Sequence, residues 1–301
     1  MATKQIGIIL NGATGRICRT QHMRGGLVPI RDEGGLTVGD DQIVPRMLLT
    51  GRNEDRLAEV AREYGIEEWT TDLDAALADP DFPVFFDAAA THLRLDTLNR
   101  AIDAGNHIYT EKPIAPTVAE GIELMRRAEA KGLKHGAVED KLFLPGFRKL
   151  SHLMDSGFFG RVVSFKLEFG WWVFDGISAE SQRPSWNYKK SGGGGLLSDM
   201  HPHWRYVIGG ILGPITDVSC AAWTAQPERI DEDGQRYTVD VEDATATLLD
   251  MESGARGSIV SSWATRIRSD DLVTFQIDGT DGSAVAGLRK CWAQSAADTS
   301  R

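Results

Sequence analysis

The stretch Ile6-Gly7-Ile8-Ile9-Leu10-Asn11-Gly12-Ala13-Thr14-Gly15-Arg16-Ile17-Cys18 decides the fold. Ile6–Leu10 is a short continuous apolar run, typical of a strand that is buried on both faces of a parallel sheet. Gly12 and Gly15 follow it directly and allow the backbone of a tight turn to approach a ligand closely. A helix that starts there offers free N–H groups and a positive dipole end. The stretch therefore predicts a diphosphate-binding turn, although Cys18 replaces the third glycine of the dinucleotide fingerprint.

An alternation of strand and helix patterns continues from this turn to about residue 138. Apolar runs at 46–50, 83–90 and 107–110 are each followed by helical periodicity. Asn53 is placed to cap one of the helices, and Thr117-x-x-Glu120 has the spacing of a capping box. Such alternation predicts an α/β first domain over 1–138, with a doubly wound parallel sheet of the Rossmann type.

Arg52 comes directly after the second predicted strand. In a dinucleotide site an acid at this strand end binds the ribose 2′-hydroxyl, whereas an arginine accommodates a 2′-phosphate. Arg52 therefore favours NADP over NAD. An arginine at a strand end is also often only a solvated side chain, and that interpretation stays open here.

Two further segments differ from the strand-and-helix pattern. Residues 25–45 carry glycines and alternating charges, which predicts a loop inserted before the second strand. Beyond residue 138, period-two patterns recur at 163–169, 218–225, 244–251, 257–265 and 272–277. Sequential strands with few helices predict a largely antiparallel sheet, open on one face to helices, in an α+β second domain over 139–301.

The region Ser191–Tyr206 holds the residues with the most chemistry. Four glycines at 192–195 have no use inside a packed element, so we expect a hinge or a close backbone approach. Asp199 and His203 follow at the i, i+4 spacing that puts both on one face of a helix, which should end near Gly209. A carboxylate beside an imidazole is a usual way to build a general base.

Other interpretations of this region remain open. Asp199 has the position of a helix N-cap, and a histidine facing a core is often only a satisfied structural group. Asp199-x-His201-x-His203 could also bind a metal, but no Cys or Glu stands at ligand spacing and no HExxH pattern occurs, so we predict no metal.

Glu111-Lys112-Pro113 follows the predicted strand at 107–110. This puts a lysine and a glutamate at the carboxyl edge of a parallel sheet, where open α/β folds bind ligands. Lys112 could polarise a reacting C–O group, although a surface ion pair before a proline turn would have the same sequence.

Residues 171–195 are too many for a simple connection and predict a wall of the substrate site. Arg183, Trp186 and Tyr188 are its candidate contacts, since aromatic rings with a polar edge suit the faces of a sugar or polyol. The same rings would equally suit the packing of a sheet on helices.

Composition limits the class of protein. The net charge is -10, from 33 basic and 43 acidic residues, which argues against nucleic acid or an anionic membrane as partner. No apolar run has the length of a membrane span or a secretory h-region, and the three cysteines are odd in number and far apart. We therefore expect a cytoplasmic protein with reduced thiols.

Taken in order, these features resemble the glucose-fructose oxidoreductase and inositol dehydrogenase family, Gfo/Idh/MocA. The resemblance rests on Gly12-x-x-Gly15, Glu111-Lys112-Pro113, the region Asp155–Gly160 and Gly193-Gly194-Gly195-x-Leu197-x-Asp199-x-x-x-His203. It implies a Rossmann domain binding NAD or NADP, and a second domain whose sheet often forms a homo-oligomer interface. It also implies a Lys112–Pro113 bond that is commonly cis.

The resemblance also assigns residues. It implies that Lys112, Asp199 and His203 are catalytic. The predicted cofactor-binding residues are Gly12, Ala13, Thr14, Gly15, Arg16, Ile17, Arg52, Ala90, Glu111 and Lys112. The predicted substrate-binding residues are Lys112, Arg183, Trp186, Tyr188, Asp199, His201 and His203.

The implied activity is hydride transfer between a secondary alcohol of a sugar or polyol and NAD(P). Alternatives are cleavage of a glycoside by transient oxidation with the same cofactor, and a non-catalytic NAD(P)H sensor. His201 stands where the family usually has glycine, and Tyr206 where it often has aspartate, so we expect a pocket unlike that of a plain inositol dehydrogenase. Family members generally run longer, so we expect either a smaller second sheet or a further terminal segment.

Overall fold

The computed structural model describes residues 2–299 of the 301-residue chain. The chain divides into two compact units, Met1–Val138 and Glu139–Arg301. Each unit has a sheet and a hydrophobic core of its own. No helix within 2–299 combines the length and the apolar character needed to cross a bilayer.

The first unit contains a seven-stranded sheet with the order β2-β3-β1-β5-β6-β7, and β4 pairs with β3. Its strands are β1 (Ala2–Asn11), β2 (Leu36–Val38), β3 (Asp41–Thr50), β4 (Glu68–Thr70), β5 (Val84–Asp87), β6 (His107–Thr110) and β7 (His135–Ala137). All neighbours are parallel except β2 and β3. Ile9 and Leu10 of β1 are fully buried, as the continuous apolar run predicts for a central parallel strand.

Helices cover both faces of this sheet, so that two core clusters form, one on each side. They are a π-helix (Cys18–Leu27), α1 (Val28–Asp32), α2 (Glu54–Tyr64), α3 (Leu73–Leu77), α4 (Thr91–Ala104) and α5 (Val118–Ala130). Asn53 caps α2 by accepting from Arg56 N at 2.9 Å, and Thr117 caps α5 by accepting from Glu120 N at 3.3 Å. The doubly wound parallel arrangement is confirmed.

The prediction of a loop at 25–45 is wrong. The π-helix runs to Leu27, α1 follows it, and β2 forms an antiparallel hairpin with the start of β3. The charged pair Asp40-Asp41 lies at the hairpin turn, where Gly39 has a φ of 60°. Leu36 and Val38 are more than half exposed, because β2 is an edge strand. The strand therefore has no buried apolar face from which the sequence could predict the hairpin.

The second unit contains a second seven-stranded sheet, with the order β16-β15-β14-β8-β13-β12-β9, and a two-stranded ribbon, β10-β11. The strands are β8 (Val162–Gly170), β9 (Ile215–Trp223), β10 (Glu228–Ile230), β11 (Arg236–Thr238), β12 (Ala244–Met251), β13 (Arg256–Ser262), β14 (Val273–Gly279), β15 (Gly282–Ala286) and β16 (Cys291–Ser295). Only β8 and β13 pair in parallel, so the largely antiparallel sheet is confirmed.

Two long helices, α6 (Pro145–Asp155) and α7 (Leu196–Leu212), belong to the core of the second unit. Phe147 and Leu150 of α6 and Trp204 and Ile208 of α7 are fully buried in it. The strands alternate as expected: Phe165, Leu167 and Phe169 are buried, whereas Lys166 and Glu168 between them are exposed. One face of this sheet is therefore open.

Candidate active site

The turn after β1 is built by hydrogen bonds between main-chain atoms. Gly12 N and Ala13 N donate to Thr50 O at 3.1 and 3.2 Å, and Gly15 N donates to Gly12 O at 2.9 Å. Gly12 has a φ of 77°, and a Cβ added to it would lie 2.7 Å from Ala89 Cα. The turn is thus packed against the segment after β5 so closely that only glycine fits.

A cleft of about 750 Å³ opens beside this turn. Five of the predicted cofactor-binding residues line it: Gly12, Thr14, Gly15, Arg52 and Ala90. A bare glycine backbone next to a helix start is the environment that a diphosphate needs, so the residues present fit a dinucleotide.

The other predicted cofactor residues are not among the residues that line the cleft. Ala13 is fully buried and its N–H is used by Thr50 O. Arg16 is exposed and Ile17 is half-buried on the first turn of the following helix. Glu111 and Lys112 lie in the loop after β6.

Arg52 is exposed at the end of β3, and none of the described carboxylates forms an ion pair with it. Arg100, which also lines the cleft, donates to Asp74 Oδ1 at 2.6 Å. The charge of Arg100 is therefore engaged within the protein, whereas Arg52 offers its guanidinium to the cleft.

Arg94, on α4, is almost fully buried. It donates to Asp87 Oδ2 at 3.1 Å, to Ala89 O at 3.0 Å and to Pro113 O at 2.6 Å. Burial raises the pKa of Asp87, although hydrogen bonds from Asn11 and Arg94 oppose the effect.

The expected cis bond between Lys112 and Pro113 is confirmed.

A histidine that the sequence did not single out holds Glu111. His22 Nε2, on the π-helix, lies 2.6 Å from Glu111 Oε1, and the imidazole packs edge-on against Phe86 with ring centroids 4.6 Å apart. Burial acts to raise the pKa of Glu111, but the hydrogen bond and charge of His22, and then the charge of Lys112, keep it below its usual value. The carboxylate beside Lys112 is therefore ionised.

The backbone of the glycine run at 192–195 closely approaches other atoms, as predicted. These atoms belong to the protein itself. A Cβ at Gly194 would lie 2.2 Å from Asn187 O, and one at Gly195 would lie 2.6 Å from Glu242 Oε1. Glu242 also accepts from Leu197 N at 3.0 Å at the start of α7. The glycines thus let the 185–195 segment fold onto the beginning of the helix.

Asp199 is not the N-cap of α7, because the helix begins at Leu196 and its N-cap is Gly195. Asp199 lies within the first turns, one turn before His203, so the predicted i, i+4 relation holds. The helix also continues past Gly209 and Gly210 to Leu212, beyond the predicted end. Ile211, near its last turn, is buried in the core, which favours the continuation.

Asp199 and Arg183 are brought together by the structure. Asp199 Oδ2 lies 3.3 Å from Arg183 Nη2 and 3.3 Å from Asn187 Nδ2. Trp186 is half exposed in the same segment. Tyr188 is fully buried, and its hydroxyl lies 2.8 Å from Ser181 Oγ, so it supports the segment from inside and does not line a surface.

His203 is 6% exposed, and its Nδ1 lies 2.6 Å from Glu139 Oε2. Sequence reasoning missed Glu139, which follows β7 after one intervening residue. The neighbouring Asp140 is also ionised. Burial acts to raise its pKa, but Lys141 and then the charge of His203 hold that pKa below the usual value.

His201 has a different environment. Its Nε2 lies 3.0 Å from the hydroxyl of Thr245, and burial lowers the pKa of the imidazole to about 4. His201 is therefore neutral near pH 7. Among residues 2–299, no three His, Cys, Asp or Glu side chains are grouped so that they could hold a metal ion.

Comparison with known proteins agrees with this architecture. A profile described as an oxidoreductase family with an NAD-binding Rossmann fold matches residues 40–137, and one described as the GFO/IDH/MocA C-terminal domain matches residues 147–285. D-xylose dehydrogenase of Paenarthrobacter nicotinovorans is 47% identical over 99% of this chain and 78% of its own length. The chain belongs to the Gfo/Idh/MocA family. It is an oxidoreductase with an NAD-binding Rossmann domain.

Two further comparisons concern another Gfo/Idh/MocA protein. Levoglucosan dehydrogenase of Pseudarthrobacter phenanthrenivorans is 28% identical over 80% of this chain and 64% of its own length. A solved structure of levoglucosan dehydrogenase in complex with NADH and levoglucosan matches with a TM-score of 0.83 and 26% identity, over 99% of this chain and 78% of that chain.

Proposed function

We propose that this Gfo/Idh/MocA protein oxidises a secondary alcohol of a sugar or polyol. The observation that carries the proposal is the buried imidazole of His203, whose Nδ1 lies 2.6 Å from a carboxylate. The identity to D-xylose dehydrogenase supports a sugar as substrate and makes D-xylose the first to test. We propose the two domains at 1–138 and 139–301.

The bare backbone of the glycine turn would let the dinucleotide approach closely, and N–H groups at the start of the following helix would hold its diphosphate. A bound nicotinamide would supply the acceptor for the hydride that the carbinol carbon releases. The hydroxyl proton must leave in step, and His203 is the side chain we assign to accept it, because an imidazole titrates near neutrality.

Lys112 keeps its predicted role. Asp199, which we expected to hold the ring of His203, is proposed in a different role, because it contacts Arg183 and Asn187. Lys112 would lower the energy of the developing alkoxide, since a positive charge favours the ionised oxygen. Asp199 would bind the substrate together with Arg183, to which it is already paired. His201 would contact the substrate as a neutral hydrogen-bonding group.

We propose NADP as the preferred cofactor. Arg52 supports it, because a guanidinium that lines the cleft without an ion pair can bind a 2′-phosphate through two parallel hydrogen bonds. The levoglucosan dehydrogenase complexes contain NADH, so both cofactors belong in every assay.

We also propose self-association through the open face of the second sheet. Trp223, Leu248 and Val260 are 48–65% exposed on adjacent strands, and the pairing of Trp223 with Ala244 and of Val260 with Ala246 puts them all on that face. Light scattering on the purified protein measures the assembly.

A panel of sugars and polyols, D-xylose first, tests the main proposal with NAD and NADP in parallel. We expect an increase in absorbance at the reduced-nicotinamide band with at least one of them. If a labelled glycoside is cleaved without net cofactor reduction, the glycoside-cleaving alternative holds. If the protein binds cofactor and turns over no substrate of either kind, the sensor alternative holds.

A further inference from the structure

Glu139 and His203 form one of the more deeply placed carboxylate–imidazole contacts of the second unit. Their side chains are 11% and 8% exposed, and the 2.6 Å contact joins one carboxylate oxygen to one ring nitrogen, Nδ1. A contact of this length between a ring nitrogen and a carboxylate oxygen is a short hydrogen bond. Glu139 therefore fixes both the position and the rotation of the imidazole ring.

Nearby acids contribute differently to the environment of His203. Asp199 precedes it by one helical turn and contacts Arg183 and Asn187 at 3.3 Å. Asp140 contacts Lys141 Nζ at 2.6 Å and acts on His203 through its charge. The carboxylate within hydrogen-bond distance of Nδ1 is that of Glu139.

We propose that Glu139 is the positioning residue for the base, a role that rests on the proposed function. A carboxylate acceptor at Nδ1 stabilises the tautomer with the proton on Nδ1, so Nε2 keeps its lone pair. Nε2 then accepts the proton of the substrate hydroxyl and the ring becomes an imidazolium. The carboxylate of Glu139 accepts the hydrogen bond from Nδ1 and stabilises this cation, and the proton later leaves Nε2 for solvent.

The decisive variant is Glu139→Gln, which keeps the shape of the side chain but replaces the carboxyl group by an amide. The amide can donate to Nδ1 and so favours the opposite tautomer, with the proton on Nε2. We expect kcat to fall by about tenfold to ten-thousandfold, as for a base with a misplaced proton, while cofactor Kd stays within about twofold. Glu139→Asp, which keeps a carboxylate, should retain a larger share of kcat.

The tautomer itself is measured without substrate. Nitrogen NMR of protein labelled with 15N-histidine distinguishes protonated from unprotonated ring nitrogens, and the His203 signals are assigned by their loss in His203→Gln. We expect Nδ1 protonated and Nε2 unprotonated in the unaltered protein above pH 8, and the reverse or a mixture in Glu139→Gln. Because this spectrum needs no turnover, it is independent of whether a sugar is oxidised.

Glu129→Gln is the matched control. Glu129 Oε1 lies 3.3 Å from His135 Nε2 in an exposed pair, so the same substitution is made at a histidine with no proposed role. It should leave kcat and the His203 signals unchanged. The proposal is overturned if the unaltered protein carries the His203 proton on Nε2, or if Glu139→Gln retains kcat within about twofold with unchanged His203 signals.

Discussion

Two histidine–carboxylate pairs, one in each unit, share the same contact distance but differ in what surrounds them. His22 and Glu111 are 2.6 Å apart in the first unit, and His203 and Glu139 are 2.6 Å apart in the second. His22 bonds through Nε2 and packs edge-on against Phe86, whereas His203 bonds through Nδ1. The first pair anchors the loop that carries Lys112, and we propose that the second orients a ring for proton transfer. Under this proposal, the same contact stabilises a loop in one unit and positions a catalytic base in the other.

The largest effect should come from removing the ring assigned to chemistry. His203→Ala should lower kcat by about a hundredfold to ten-thousandfold, the range for a lost general base, with cofactor affinity nearly intact. Steady-state kinetics and a fluorescence titration of the reduced cofactor measure the two quantities. His201→Ala is the control and should act mainly on KM. If His201→Ala abolishes turnover and His203→Ala does not, the base has been misassigned.

His201 sharpens the comparison because its ring contacts a hydroxyl and no carboxylate balances a charge on it. The pKa of His201 is about 4 in the folded protein, against an ordinary value of 6.5. As pH falls, the imidazole therefore becomes protonated in the unfolded chain at a higher pH than in the folded protein. Stability present above pH 6.5 should be lost as pH falls toward 4, by about 2–3 kcal/mol from this group. Denaturant unfolding at pH 7 and pH 4.5 should show a smaller loss for His201→Gln. An equal loss in both proteins would contradict the assignment.

Arg52→Asp should change the cofactor preference, which belongs to the first unit alone. The aspartate repels a 2′-phosphate and can accept from a 2′-hydroxyl, so the ratio of Kd values for NADP and NAD should shift toward NAD by about tenfold to a hundredfold. Isothermal titration with both cofactors measures the ratio, and Arg16→Asp is the control. If the unaltered protein binds NAD as well as NADP, the preference for NADP is wrong.

The smallest effect should follow from breaking the first pair. His22→Phe keeps an aromatic ring against Phe86 but removes the donor to Glu111, which costs about 1.5–3 kcal/mol for a hydrogen bond to a charged group. We expect a lower Tm and a cofactor Kd raised by up to about tenfold, with kcat changed less than by His203→Ala. His135→Phe, at the exposed pair with Glu129, should change neither quantity. A kcat loss matching that of His203→Ala would show that both pairs act in the chemistry.

The parts of the molecule whose structure is determined by residues close together in the sequence were predictable. The strand and turn at 6–18, the capped helices after Asn53 and Thr117, and the loop at Glu111–Pro113 all depend on local patterns of burial and capping. The hairpin formed by β2 and β3 was not predictable, because an exposed edge strand lacks a buried face to mark it.

The carboxylates that contact His203 and His22 could not be predicted from the sequence either. Glu139 lies 64 residues from His203 along the chain, and His22 lies 89 residues from Glu111, so tertiary packing decides which carboxylate reaches which ring. The i, i+4 spacing of Asp199 and His203 suggested a pair on one helix, but the ring nitrogen contacts an acid from another segment. Local spacing predicted His203 as the base, which stays a prediction, and missed the carboxylate that contacts its Nδ1.

Arg94 has a consequence for the engineering of this fold. Its three acceptors, Asp87, Ala89 and Pro113, all come from the continuous stretch 87–113, which also contains α4, β6 and the loop with Lys112. A buried guanidinium must be moved together with its acceptors, because an unpaired buried charge costs several kcal/mol. An exchange between relatives should therefore move residues 87–113 as one piece. It should also keep Asn11 and His22, which contact Asp87 and Glu111 from outside this stretch.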